Sequence, residues 1–147
     1  MKLKVAWIGK TKEPAIHLLT AEYLKRLARY TPIEPLELTS EAALLKQIEK
    51  STSRTPPAIV LLDSRGKQLT SEEFAAFLEQ HQARGTQTLL FAVGSADGFS
   101  DNARQAASTS ISLGKMTLPH ELARVILLEQ LYRAFTILKG HPYHSGH

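Results

Sequence analysis

Two continuous apolar runs, Ala58–Leu62 (AIVLL) and Thr88–Val93 (TLLFAV), constrain this chain more than any other feature. A strand that offers no polar face must be covered on both sides, as in a parallel sheet held between two helical layers. The remaining pattern agrees. Leu3–Ile8 reads as a first strand. Pro14–Tyr30 carries Ile16, Leu19, Tyr23, Leu24 and Leu27 at the spacing of one helix face. Ile33–Leu38 alternates apolar with charged residues and contains Pro35, which fits an edge strand and not a central one. Ser40 caps a helix running to about Lys50, with Ala43, Leu44, Leu45 and Ile48 inward, and a polar loop follows at 51–57. Ser71–Arg84 is a helix stopped by Gly85, with Phe74, Phe77 and Leu78 inward and Ser71, Glu72 and Glu73 suited to its start. Ser100–Ala107 reads as a short helix, Ser110–Leu113 as a last short strand and Pro119–Lys139 as a long final helix. Strands alternating with helices imply an α/β fold, a mostly parallel sheet with helices on both faces, in a single domain over 1–147.

Composition matters chiefly for what it excludes. With no cysteine among 147 residues, thiol catalysis, iron–sulfur clusters and cysteine zinc sites are ruled out, no metal site is expected, and a cytoplasmic setting is unopposed. The uncharged run Val5–Gly9 is too short for a signal-peptide core, and no run approaches the ~20 residues of a membrane span. The net charge of +4 sits toward the two ends: nine basic against six acidic residues in 1–50, four against five in 51–100, five against three in 101–147. Such a balance permits contact with RNA. Of six histidines, four (120, 141, 144 and 147) fall in the last twenty-eight residues.

In doubly covered parallel sheets, ligands gather beyond the carboxyl ends of the strands. Three glycine-bearing loops answer to that position: Asp63–Lys67 (DSRGK), Gly94–Phe99 (GSADGF) and Gly114–Thr117 (GKMT). None fits the P-loop or the dinucleotide-binding pattern, and each alone reads as a plain turn; three after successive strands favour a pocket. The final helix gives a separate clue. Twelve of its positions from His120 to Lys139 are apolar or aromatic, more than the roughly three in seven that a helix lying on one sheet requires. The surplus calls for a second covering surface, with a homodimer favoured over burial inside a crowded monomer. Glu129 and Arg133, four apart, read as a surface pair.

AVGSADGFS (92–100) and LGKMTLPHELARVILLEQLYRAFTILKGHPYH (113–144), with LLDSRGK (61–67), resemble the RlmH family of SPOUT RNA methyltransferases along the whole chain. The resemblance implies methylation of N3 of a pseudouridine in large-subunit (23S) ribosomal RNA, with S-adenosylmethionine as cofactor. It also implies a homodimer and a C-terminal trefoil knot, which periodicity cannot suggest. Ribosomal RNA or the ribosome is then the partner, with no membrane or DNA involved. The family's cofactor contacts carry over to Leu62, Gly94, Leu113, Gly114, Lys115, Met116, Thr117 and Leu118. The catalytic candidates are His141, Tyr143 and His144 in a tail expected to lie over the pocket mouth; Arg124 and Arg133 read as structural. The chain departs from the family at Ser95, where a second glycine is common and serine fits only with an ordinary φ. It departs again at Ser145-Gly146-His147, where an arginine typically follows HPYH. Two other readings stay open on the sequence: a catalytically silent RNA-binding or ribosome-associated dimer of this fold, and a general nucleotide-binding α/β protein.

Overall fold

The computed structural model describes residues 1–49 and 55–144, the His144 side chain excepted. Most of the expected loop 51–57, the end of the helix expected to reach Lys50 and the Ser145-Gly146-His147 departure therefore lie outside the described residues. The elements are β1 (Lys2–Ile8), α1 (Pro14–Leu27), β2 (Ile33–Leu38), α2 (Glu41–Glu49), β3 (Ala58–Gln68), α3 (Ser71–Ala83), β4 (Thr88–Val93), α4 (Asp101–Ala106), β5 (Thr109–Ser112) and α5 (His120–Lys139). A short 3₁₀ turn, Pro142–His144, follows. Helix starts are chemically specified. Thr70 and Glu73 exchange side-chain and backbone bonds in a capping box before α3, and Ser100 accepts from the Ala103 N–H before α4.

All five strands pair in parallel, in the order β2-β1-β4-β3-β5, so Pro35 does stand on an edge strand. The two-residue period of the strands splits the core cleanly. Leu3, Val5, Trp7, Val60, Leu89, Phe91 and Val93 face one side, under Leu27 of α1, Phe74 and Leu78 of α3, and Leu127, Leu128, Leu131 and Phe135 of α5. Ala6, Ile8, Ile59, Leu61, Leu90 and Ala92 face the other, against Leu44 of α2, Phe99 and Ala103. This is the expected α/β class with both sheet faces covered.

Two sequence expectations change. First, α5 is the central helix of its layer, packed between α1 and α3 as well as on the sheet. Val125, Leu127, Leu128, Leu131, Ala134 and Phe135 are all buried within the one chain. Its apolar surplus is thus largely satisfied without a second copy, because neighbouring helices cover the flanks that the sheet does not reach. Second, Asp63–Lys67 is not a loop beyond a finished strand. β3 continues to Gln68, and Leu62 and Lys67 both pair with Ile111, so 63–66 bulge out of the ladder. Apolarity ends at Leu62, but β5 still offers an open edge for pairing, and pairing needs no apolar side chains. Gly66 lies so near β5 that a Cβ there would sit 2.6 Å from the Ser110 carbonyl carbon and the Ile111 nitrogen.

Candidate functional site

Beyond the carboxyl ends of β4 and β5, and beside the bulge of β3, lies a cavity of about 720 Å³, within the usual size of a cofactor site. The three glycine loops build its walls. Leu62–Arg65 come from β3 and its bulge, Gly94–Phe99 from the loop after β4, and Leu113–Pro119 from the loop after β5; His120 and Ala123 of α5 close one side. The eight residues expected to hold cofactor, Leu62, Gly94 and Leu113 through Leu118, all line this one cavity.

Local chemistry explains each wall. Gly94 has ordinary φ and is needed for room: a Cβ there would lie 3.3 Å from the Phe99 ring, which is itself buried. Gly98 (φ 77°) turns the loop back so that its N–H reaches the Ser95 carbonyl at 3.0 Å. Ser95 keeps an ordinary φ, so its departure from the family pattern strains nothing. Gly114 takes φ 144°, and the Ser112 hydroxyl both donates to the Gly114 carbonyl (2.8 Å) and accepts from the Gly114 N–H (3.2 Å). Half-buried Leu62, Leu113 and Leu118 stand among these backbone groups, offering flat apolar contact beside donors and acceptors. Such a lining fits an adenine, whose faces want apolar cover and whose edge wants hydrogen bonds.

Asp63 and Arg104 fasten the cavity floor. Arg104 Nε donates to Asp63 Oδ2 at 2.6 Å, with the Asp63 side chain only 7% exposed. Burial alone would push the Asp63 carboxyl up; the Arg104 guanidinium and the Arg65 N–H outweigh it and hold the group below the usual carboxylate range. Sequence reasoning flagged the Asp63 loop but missed Arg104, which lies forty-one positions away on a six-residue helix with no motif of its own.

On the flank of the cavity, Arg124 of α5 is 1% exposed yet carries a full charge into the interior. Its Nη2 donates to the carbonyls of Ile8 and Gly9, its Nη1 to Thr11 Oγ1, and its guanidinium lies 5.5 Å from the Trp7 ring centroid. Glu121, one turn away, accepts the N–H groups of Lys12 (3.0 Å) and Glu13 (3.2 Å), an anion at the start of α1. The loop from Gly9 to Glu13 is therefore clamped by the first turn of α5. Arg124 is structural, as read from sequence, and what it positions is this loop.

The tail does not lie over the cavity of its own chain. His141 Nδ1 is 2.5 Å from the Tyr30 hydroxyl. The Tyr143 hydroxyl donates to Glu129 Oε1 at 2.6 Å, and its ring packs edge-on against Tyr132 and under Arg133. Glu129 and Arg133 form the expected pair, but half-buried and shared with Tyr143. Burial and the Glu129 carboxylate raise the Tyr143 phenol well above its ordinary value. The His144 side chain is outside the described residues. The tail folds back because Gly140 takes φ 69° and Pro142 bars further helix, so the chain reverses onto the aromatic seam between α1 and α5.

Among the described residues no cluster of side chains suits a metal, and no helix is long and apolar enough to cross a membrane. The family model described as "Predicted SPOUT methyltransferase" matches residues 1–144. A protein of Koribacter versatilis named ribosomal RNA large subunit methyltransferase H is 60% identical over 147 residues, covering all of both chains. A protein of the same name from a Geobacter species is 46% identical, covering 98% of this chain and 99% of its own. In fold, the chain is similar to a probable methylase family protein from Haemophilus influenzae (TM-score 0.63, 8% identity, covering 96% of this chain and 69% of that one). It is also similar to the SpoU methyltransferase AviRb of Streptomyces viridochromogenes, solved in complex with AdoMet (TM-score 0.54, 16% identity, covering 88% of this chain and 56% of that one).

Proposed function

The chain belongs to the SPOUT methyltransferase family, in the group of ribosomal RNA large subunit methyltransferase H proteins, and from that premise we propose that it methylates N3 of a pseudouridine in large-subunit ribosomal RNA with S-adenosylmethionine as donor. The observation carrying this reading is the convergence of Leu62, Gly94 and Leu113–Leu118 on one cavity, from three loops spread over more than fifty residues. The cofactor supplies a sulfonium methyl that is already activated, so the protein has two tasks: to align the base and to take its proton. Backbone groups of 94–98 and 113–118, with Leu62, Leu113 and Leu118 around them, hold the adenosyl part. The N3 imide is a poor nucleophile until deprotonated. His141 or His144 would accept the N3 proton, the methyl being supplied by the cofactor's sulfonium when bound. Tyr143, whose raised phenol stays protonated with its hydrogen committed to Glu129, orients the ring by stacking or as an acceptor and is not the base.

These tail roles require a second copy, since each tail packs on the middle of its own α5. Leu19 of α1 (43% exposed) and Leu122 of α5 (39%) offer apolar surface for that contact. The assembly is then a homodimer in which the tail of one copy completes the cavity of the other. A cytoplasmic location goes with the substrate. The single domain is read as closing on a trefoil knot over its C-terminal third, as membership of the SPOUT family implies.

Transfer of labelled methyl from S-adenosylmethionine to ribosomes, followed by identification of the modified nucleoside, tests the activity. Deleting residues 141–147 is expected to abolish transfer while leaving cofactor affinity within about threefold (~0.6 kcal/mol). Full activity of the truncated chain would move the base elsewhere. Absence of transfer by the intact chain would leave a silent dimer of this fold.

A further inference from the structure

The loops around the cavity are unequal in how their charges are used. Lys10 and Lys12 on the β1–α1 loop, Arg65 on the β3 bulge and Lys115 after β5 are all exposed, and among the described residues none of their side chains forms an ion pair within 4 Å. Nearby carboxylates are largely consumed from within: Glu37 Oε1 accepts from Trp7 and Thr11, Glu121 from the Lys12 and Glu13 N–H groups, and Asp63 holds Arg104. On these four loops only Glu13 and Asp97 remain exposed without a cation. The β1–α1 loop leaves the sheet beside the loop that follows β4, because β1 and β4 are paired neighbours, about 4.8 Å apart. It is also rigid, fixed by Arg124 at Ile8, Gly9 and Thr11 and by Glu121 at Lys12 and Glu13.

We propose that the β1–α1 loop is a preformed docking element for the phosphodiester backbone of the RNA, with Lys10 and Lys12 contacting phosphates on one side of the cavity mouth while Arg65 and Lys115 flank the other. The proposal rests on the reading of the chain as a ribosomal RNA methyltransferase, and it specifies where the RNA strand runs. Anchoring two phosphates from a loop whose backbone is already fixed leaves only the lysine side chains to order on binding. A base between these cations is carried to the cavity by the contacts that hold its strand. RNA suits this face better than an anionic lipid surface, since Arg65 and Lys115 line a concave mouth, the loop bearing Lys10 and Lys12 is clamped to the first turn of the helix that closes it, and Met116 is the large apolar side chain exposed there. Arg124 is a positioning residue in this scheme: it touches no ligand and holds the loop through three backbone and hydroxyl oxygens.

Binding of the full chain to ribosomes between 50 and 200 mM salt tests the element, comparing wild type, the Lys10→Gln/Lys12→Gln double variant and a Lys25→Gln/Lys46→Gln double variant of equal charge away from the cavity. Each phosphate contact adds a little under one to the slope of log affinity against log salt. The first variant is expected to bind at least about tenfold more weakly at 50 mM salt, with a slope smaller by about 2, while calorimetry with S-adenosylmethionine stays within threefold of wild type. The second is expected to keep the wild-type slope. KM for ribosomes rises in the Lys10/Lys12 variant with kcat retained at saturation. A wild-type slope in that variant, in a protein whose parent methylates ribosomes, overturns the docking element and leaves the activity standing. An intact chain that transfers no methyl to ribosomes overturns the activity itself. Loss in the Lys10/Lys12 variant of binding to phosphatidylserine vesicles, with ribosome binding unchanged, would assign the loop to a membrane surface and overturn the RNA reading.

Discussion

Gly66 and Gly94 are both glycines with ordinary φ, so each marks a shortage of space and not a special backbone angle. At Gly66 the obstruction is backbone, which cannot rotate away. Gly66→Ala is expected to lose at least about 1–3 kcal/mol in urea denaturation, the usual range for overpacking. At Gly94 the obstruction is the Phe99 ring at 3.3 Å, which yields more easily. Gly94→Val is therefore expected to fold but to weaken S-adenosylmethionine by about 1–3 kcal/mol in calorimetry, and unchanged affinity would remove this loop from the site. His81 makes a different residue-scale prediction. It is 6% exposed, with Nδ1 2.9 Å from Thr86 Oγ1 and its ring edge-on to Phe77. Burial first, and Arg84 second, hold its folded pKa below the ordinary value. The unfolded chain thus takes up the proton more readily, so this contribution to stability is complete above the unfolded pKa of about 6.5 and is lost as pH falls through the folded value. Melting temperature should decline on going from pH 7 into that window, and His81→Gln should flatten the decline.

At the scale of elements, α5 shows what periodicity conveys and what it does not. Its apolar surplus correctly announces more than one covering surface, but a count of apolar positions carries no information on whether the cover comes from α1 and α3 or from another molecule. The structure separates the two cases. Leu128 and Leu131 are fully buried against the sheet and its helices, so Leu128→Lys is expected to unfold the chain instead of releasing monomers. The Leu19→Lys/Leu122→Lys pair, on exposed positions, is expected to keep the melting temperature within a few degrees and to sediment as a monomer where wild type is a dimer. Equal sedimentation of the two proteins would exclude this surface from the contact. Strands β1 and β4 were legible to within a residue because covered strands have a sharp apolar signature, and β2 through its alternation of apolar and charged residues. The far half of β3 was not, since Asp63–Gln68 has neither alternation nor apolarity and is held by the pairing of Lys67 and Gln68 with β5 and by the ion pair of Asp63 with Arg104. Similarly, the glycine loops pointed to the cavity through their places after the strands. The tail's seat on Tyr30, Glu129 and Tyr132 depends on a reversal at Gly140 whose direction no local pattern encodes.

For the whole molecule, the knot proposed for the last strand and helix would have a mechanical signature. Fully drawn out, 147 residues reach about 500 Å. Pulled by its ends, a chain with an open path attains that length, whereas one with a trefoil tightens and stops measurably short; full extension would exclude the knot. The cavity has its own whole-molecule consequence. Its walls at 62–65, 94–99 and 113–120 follow three strands that are neighbours in the order β4-β3-β5, so the cavity exists only where all three are paired. Opening any one of the three strands is therefore expected to cost most of the binding free energy at once. A bound cofactor consequently suppresses sub-global openings and makes the molecule more nearly all-or-none. In hydrogen exchange, amides of β5, a four-residue strand at the sheet edge, would gain protection on loading until they exchange in step with those of central β4.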